Sequence, residues 1–406
     1  MRRFALVLTL LLLMMTCPGS PAAAAQMRWL PKPPEQFADY PKEIAAFLNK
    51  RPENLQALKQ LLVRWNAISP ATPIFAGDVS GLRRLDYIVP IWQRVEGRGT
   101  NDKLAGVLWL HQGRGGWQGE FIARPDFTVG PAGGDPSVID IQVHYVGDLN
   151  GDRRDDVLWS SATFGANTGF QQVRGLTYAG RTWNPIFSVD QTWGDVLVNP
   201  GNKPPSMQLT PGFMGSAGAG PQRRVSQWYR WNGNGFKLYR QALGSNRYMP
   251  LRFVDAEWNL LAGRPVDAAK LYTEVLTDAS LDVWPEGNAE AAQFNRTLAA
   301  FRLMVQAAEK GDTTQVENLR PSATFGYPPF LPVVDAFIRA FQQSHNVKAS
   351  CEAARKEWPG PADPSLPPYY WGFANPPFTS AALCPEVFGY TLARGTPEVA
   401  AVTAFE

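Results

Sequence analysis

The densest run of chemistry-bearing side chains in this 406-residue sequence is Asp148-Leu149-Asn150-Gly151-Asp152-Arg153-Arg154-Asp155-Asp156. Counted from Asp148, side-chain oxygens stand at positions 1, 3, 5 and 9 (Asp148, Asn150, Asp152 and Asp156), and position 7 offers the Arg154 carbonyl. Alternating Asp and Asn on a tight loop turn their oxygens inward. Ca2+ suits such a loop, because it is a hard cation that takes roughly six to eight oxygens in flexible geometry. The spacing therefore predicts a structural Ca2+ site. A metal-free Asx turn is the alternative for the same residues. Position 6, where such loops use Gly for its positive φ, is Arg153. Arg153 and Arg154 also bring two cations, and position 12 is Trp159 in place of a bidentate Glu, so the loop is not an EF-hand.

Other chemistry is thinner. The three histidines, His111, His144 and His345, form no zinc-type spacing. Gly215-Ser216-Ala217-Gly218 has Met214 where a nucleophile elbow needs Gly. The glycines from Gly212 to Gly220 precede neither a helix pattern nor Lys-Ser/Thr, so they predict no phosphate loop. A carboxylate-pair hydrolase depends on spacing in the fold. Asp190, Asp195, Asp255 and Glu257 are no better placed than other acids, so no catalytic residue is named and a non-enzyme is expected. Trp92, Trp109, Trp117, Trp159, Trp183, Trp193, Trp228 and Trp231 could stack on sugars or fill a core. Trp117, in Gly115-Gly116-Trp117-Gln118-Gly119, is expected in a turn, exposed, as the candidate ligand surface.

Compartment and class follow from the ends and the charge. Met1-Arg2-Arg3, an apolar run from Phe4 to Met15 and Ala23-Ala24-Ala25 read as a signal peptide over 1–25. That run is too short for a membrane span, and no transmembrane segment is expected elsewhere. Cys17 closing the apolar run suggests a lipid anchor, but Met14-Met15-Thr16 departs from the lipoprotein pattern, so cleavage after Ala25 is preferred. The exported chain then carries 37 basic and 36 acidic side chains, against the usual basic excess of a nucleic-acid binder. Two cysteines remain, Cys351 and Cys384, whose pairing in an oxidising compartment would close the C-terminal tail; two buried free thiols are the alternative.

The elements that must carry these residues change character along the chain. Residues 26–73 read as a Pro-rich linker followed by short helices, with Ile44, Phe47, Leu48, Leu58, Leu61, Leu62 and Trp65 at helical spacing. Residues 74–245 show short apolar-aromatic runs between Gly, Asn and Asp, as in antiparallel hairpins; Asn232-Gly233-Asn234-Gly235 is one such turn. Within them Gly77–Val89 aligns without a gap on Gly147–Trp159, and a third β unit near 196–239 lacks the turn. Residues 246–358 switch to helical period, broken at Gly263-Arg264-Pro265 and Gly311-Asp312, and predict three helical hairpins in series. Residues 359–406 form a Pro- and aromatic-rich tail.

Val146-Gly147-Asp148-Leu149-Asn150-Gly151-Asp152 running into Asp156-Val157-Leu158-Trp159 resembles the FG-GAP (VCBS-type) repeat. That resemblance implies extracellular propeller-type blades, here two or three, often with Ca2+ in this loop. The helical part resembles tetratricopeptide hairpins, with Gly263, Ala268 and Tyr272 at that repeat's spacing. Together they imply an α+β multidomain protein: an FG-GAP-like antiparallel β domain of partial propeller blades, then a TPR-like helical domain. The expected role is binding another protein at the cell envelope or outside the cell. Carbohydrate binding is the alternative, and a carboxylate hydrolase stands third.

Overall fold

The computed structural model describes residues 31–51, 55–94, 103–123, 140–164, 168–358, 360, 370–375, 378–389 and 404–405. It is an α+β chain in which antiparallel sheets precede a helical region. The described residues fall into two compact units, from within 1–147, 154–161 and 176–184, and from within 148–153, 162–175 and 185–406. The expected signal peptide over 1–25 and Cys17 lie outside the described residues.

The first unit opens with helices α1 (Tyr40–Lys50) and α2 (Leu55–Arg64). Strands β1 (Phe75–Gly77), β2 (Asp86–Arg94), β3 (Lys103–Gly113) and β4 (Gly116–Ala123) follow as one antiparallel sheet in that order. Helices this short are marginal alone in water; packing holds them. Ile44, Leu48, Leu58, Leu61 and Leu62 bury against Val89, Ile91, Leu108 and Leu110. Side chains alternate across a strand, so Ile88, Val107 and Trp109 bury on the opposite face with Ile141, Val143, Val157 and Trp159. The nearly continuous apolar run of β2 is the signature of a strand covered on both sides.

Trp117 corrects the expectation of an exposed turn tryptophan. It is 6% exposed and stacks on Tyr87 with centroids 5.2 Å apart. The turn is capped by α1: Asn49 accepts from the Trp117 amide at 2.6 Å and donates to its carbonyl at 3.0 Å. Gly119 admits the helix, since a Cβ there would lie 2.5 Å from the Pro41 carbonyl oxygen.

A second four-stranded sheet runs β5 (Asp140–Gly147), β6 (Asp156–Phe164), β7 (Gly169–Tyr178) and β8 (Trp183–Thr192). The third, in the second unit, has β9 (Asp195–Asn199), β10 (Ser206–Thr210), β11 (Val225–Trp231) and β12 (Phe236–Leu243) antiparallel; Ala404–Phe405 adds a short parallel pairing to β12.

Three helical hairpins follow: α3 (Met249–Leu261) with α4 (Pro265–Thr277), α5 (Ala289–Glu309) with α6 (Thr313–Phe325), and α7 (Leu331–Ser344) with α8 (Val347–Lys356). Their boundaries follow capping chemistry. Asn288, Asp312 and Asn346 each accept an amide of the first helical turn, and Pro265 starts α4. Helix α5 is enclosed: Phe294, Leu298, Phe301 and Met304 are buried, and so are Asn295, Thr297, Arg302 and Gln306. The chain's own C-terminal segment covers part of it. Trp371 meets Phe253, Phe378 meets Phe294, and the Cys351–Cys384 disulfide ties that segment to α8. Among the described residues of these six helices the exposed large apolar side chains are Leu261, Val266 and Leu331.

Candidate functional site

The repeat seen in the sequence is repeated in backbone conformation. Gly81 and Gly151 have φ of 71° and 86°, and Arg83 and Arg153 have φ of 57° and 69°. A left-handed arginine is uncommon, and two at the same repeat position mark a loop whose partners hold it there. Asp78 accepts the Arg83 amide at 3.0 Å. Asp148 accepts the Gly151 amide at 2.6 Å and the Arg153 amide at 2.9 Å, while Asn150 accepts the Asp152 amide at 2.8 Å. The sequence requirement for Gly at position 6 is thus met by Arg under the constraint of these Asx bonds.

The structure places the five proposed Ca2+ donors in different settings. Asp148 and Asn150 are half-buried, Asp152 and Arg154 are exposed, and Asp156 is buried at the start of β6. Among the described residues no group of three or more His, Cys, Asp or Glu side chains is arranged to hold a metal ion. The loop has the oxygens for Ca2+ in sequence, and as folded it closes on its own amides.

A group of buried, charge-paired acids lies inside the second unit. Arg302 on α5 is fully buried. It donates through Nε to Glu257 of α3 at 3.1 Å, through Nη1 to Glu386 at 3.0 Å and to the Leu383 carbonyl at 3.1 Å, and through Nη2 to Glu386 at 2.8 Å. The Tyr272 hydroxyl of α4 donates to the same Glu257 oxygen. Burial pushes the Glu257 carboxyl up, opposed by Arg302 and Tyr272. Burial acts on Glu386 in the same sense, but the Arg302 guanidinium more than offsets it and holds that carboxyl below its ordinary value. Nearby, Asp255 pairs with Arg223 and accepts from Asn246 at 2.9 Å, which ties the loop before β11 to α3; burial pushes its carboxyl up. Asp255 and Glu257 are therefore joints of the core. The sequence could not mark them, because their partners are 32 and 45 residues away.

His144 and Ser160, on neighbouring strands of the first unit, are joined at 2.7 Å between Nε2 and Oγ. Ser160 is 2% exposed, so it is not open to a substrate. Burial lowers the His144 pKa from 6.5 to about 4. The unfolded chain then binds a proton in this range that the folded one refuses, so stability rises with pH from about 4 to 6.5 and is fully present above that window. About 2–3 kcal/mol should be lost on acidification across it, allowing for the partial exposure of the ring. Replacement by Asn should flatten the dependence, as denaturant melts at pH 5 and pH 7.5 would show.

The aromatic side chains open to solvent are elsewhere than at Trp117. In the second unit Trp193, Phe170 and Phe213 are 47%, 43% and 58% exposed. Their segments touch backbone to backbone. The Trp193 amide donates to the Gly169 carbonyl at 2.8 Å, and a Cβ on Gly212 would lie 2.1 Å from the Trp193 carbonyl oxygen. Phe164 meets the Trp193 ring edge-on at 5.0 Å. Gln171 fixes the bend, accepting from the Gly194 amide and from Gln191 at 3.2 Å. The glycines from Gly212 to Gly220 predict no phosphate loop, and Gly212 serves close backbone approach to Trp193.

The chain matches no protein-family model, no curated protein and no solved structure. Among the described residues no helix is long and apolar enough to cross a membrane.

Proposed function

We propose that this chain is an exported, non-catalytic binding protein that engages another protein through the exposed aromatic side chains Phe170, Trp193 and Phe213. The observation that carries the reading is their joint exposure on three touching segments, since large apolar side chains gathered at a surface mark interaction sites in soluble proteins. Two further observations support it. The perturbed acids Asp86, Asp255 and Glu257 are buried. The helical array, the other expected docking face, has its central helix covered by the chain's own tail. FG-GAP-like blades and TPR-like hairpins are part of this proposal, as is a periplasmic, cell-surface or secreted location.

The test is photo-cross-linking in the producing cell from position 213, with position 266 on the helices as control. One dominant protein captured from 213 and not from 266 is the expected result; capture of no protein from 213 would sink the reading. The second reading is glycan binding. The exposure of Trp193 favours it, and quenching of that tryptophan's fluorescence by neutral oligosaccharides is its signature.

A structural Ca2+ held by Asp148, Asn150, Asp152, the Arg154 carbonyl and Asp156 belongs to the same proposal, on the spacing of their oxygens. It requires the melting temperature to rise in Ca2+ and Asp152→Ala to abolish the rise. Identical melts in Ca2+ and in chelator would leave the loop a metal-free Asx turn. In either case Asp148→Ala should cost about 1 kcal/mol, because two loop amides lose their acceptor.

A further inference from the structure

The two repeated Asp loops share a backbone but not a surface. Where the second copy has Asp152 and Asp155, the first has Leu82 and Leu85. These leucines are 59% and 61% exposed, more than any other leucine among the described residues. Arg83 and Arg84 stand between them, and every residue of Gly81-Leu82-Arg83-Arg84-Leu85 is exposed. Among the described residues no carboxylate pairs with either guanidinium. The segment from Val79 to Leu85 contains no acid of its own.

The turn does not need these leucines. Its shape is held at the backbone: Asp78 accepts the Arg83 amide at 3.0 Å, and Asp86 accepts the Ser80 amide at 2.7 Å. Its apolar anchor is Val79, which is fully buried. In the second copy Asp stands at both aligned positions, and Gly151 and Arg153 keep the same positive φ as Gly81 and Arg83. Asp155 has a structural task there, accepting the Asp78 amide at 2.6 Å; Leu85 is left in solvent. Two apolar side chains and two cations are thus presented on a loop whose conformation depends on none of the four.

We propose that this tip docks the chain on an anionic lipid surface, with Leu82 and Leu85 entering the boundary between headgroups and acyl chains and Arg83 and Arg84 meeting lipid phosphates. Apolar area buried at that boundary, together with attraction to anionic lipid, is what holds a peripheral protein on a membrane. A guanidinium suits the phosphate as a planar, bidentate donor. Extent argues against a protein occupant. A specific protein interface takes about 800 Å² from each partner, and a short tip offers a small fraction of that, whereas a bilayer needs no matching contour. The proposal is independent of the partner assigned to Phe170, Trp193 and Phe213.

The expected signal region would itself enter vesicles, so the test uses the chain from Gln26 onward. Flotation with vesicles of mixed phosphatidylcholine and phosphatidylglycerol is compared with phosphatidylcholine alone. Binding to the mixed vesicles that weakens as salt rises, with little to the neutral ones, is the expected result. Leu82→Ser with Leu85→Ser should lose about tenfold or more. Arg83→Asn with Arg84→Gln should lose about fivefold per cation, Asn being chosen to suit the left-handed position. Leu82→Asp with Leu85→Asp separates docking from folding: it copies the second loop, so it should melt with the parent chain while losing the vesicles. An environment-sensitive dye on Leu82→Cys should shift to the blue on mixed vesicles, the native cysteines being buried in their disulfide. No binding to mixed vesicles at low salt would overturn the proposal. So would equal binding to neutral vesicles, binding unchanged in the leucine variants, or a dye that does not shift. An aspartate variant that melts lower would remove the argument that the turn does not need its leucines. With vesicles unbound, dimers that dissolve in the leucine variants would give the tip to a second copy, and a protein captured from a cross-linker at position 85 would give it to a protein partner.

Discussion

Replacing Arg302 with alanine is expected to lose about 3–5 kcal/mol of folding stability, because it strands Glu257 and Glu386 against a core with no cation to meet them. Arg302 and Glu257 are fully buried and Glu386 is only 25% exposed. Breaking such a cluster from one side differs from removing it. Arg302→Met combined with Glu257→Gln and Glu386→Gln should recover most of the loss, since no uncompensated charge remains. Urea melts of the two variants decide the matter, and a single-variant loss under about 1 kcal/mol would show that the network does not organise the helical region. The acid limb has a definite sign. Glu386 is held below its ordinary pKa, so its contribution is present above the unfolded value and is lost as pH falls through the depressed folded one. Its partner Glu257 is pushed the other way by burial, so the acid sensitivity attributable to Arg302 rests on Glu386.

The second large effect is expected at the disulfide. Cys351 on α8 and Cys384 are joined across 33 residues, and both are fully buried. Loop-closure entropy for that separation amounts to about 3–4 kcal/mol, so Cys351→Ala with Cys384→Ala should lose about that much. The loss should concentrate where the C-terminal segment covers the helices, at Phe253, Phe294 and Arg302. Hydrogen exchange would show it as faster opening of α5 and α8, with the first sheet unchanged. Because the sulfurs are shielded, a thiol reagent with reductant should label them only once denaturant has opened the helical region. Labelling at the native rate of an exposed disulfide would contradict this burial.

Much of the architecture is written in local pattern. Apolar spacing of three and four marked α1 and α2 through Ile44, Leu48, Leu58 and Leu62, and Gly263, Pro265, Gly311 and Asp312 punctuated the hairpins. These signals are legible because a helix or a turn is decided by residues a few positions apart. The offset of 70 between the two Asp loops was equally readable, and the shared left-handed arginines show that it reflects a common backbone.

The site was far less legible. Trp117 sits among glycines, which suggested exposure, but Asn49 comes from 68 residues away to cap that turn. Nothing near Trp193 in sequence announces that its backbone meets that of Gly169 and Gly212, each next to another exposed aromatic residue. The role of Glu257 is likewise invisible without Arg302 and Glu386, which arrive from 45 residues further on and from the tail.

The sequence by itself determined the alternation of hairpin strands and then helices, the run of Asp and Asn oxygens in the Asp148 loop and the presence of two cysteines able to pair. All of these depend on short-range spacing or on composition. Only the tertiary structure decided which tryptophans are buried and which charges are sealed in the core. Burial and strand register are set by which distant segments meet, and a list of residues in chain order does not contain that information.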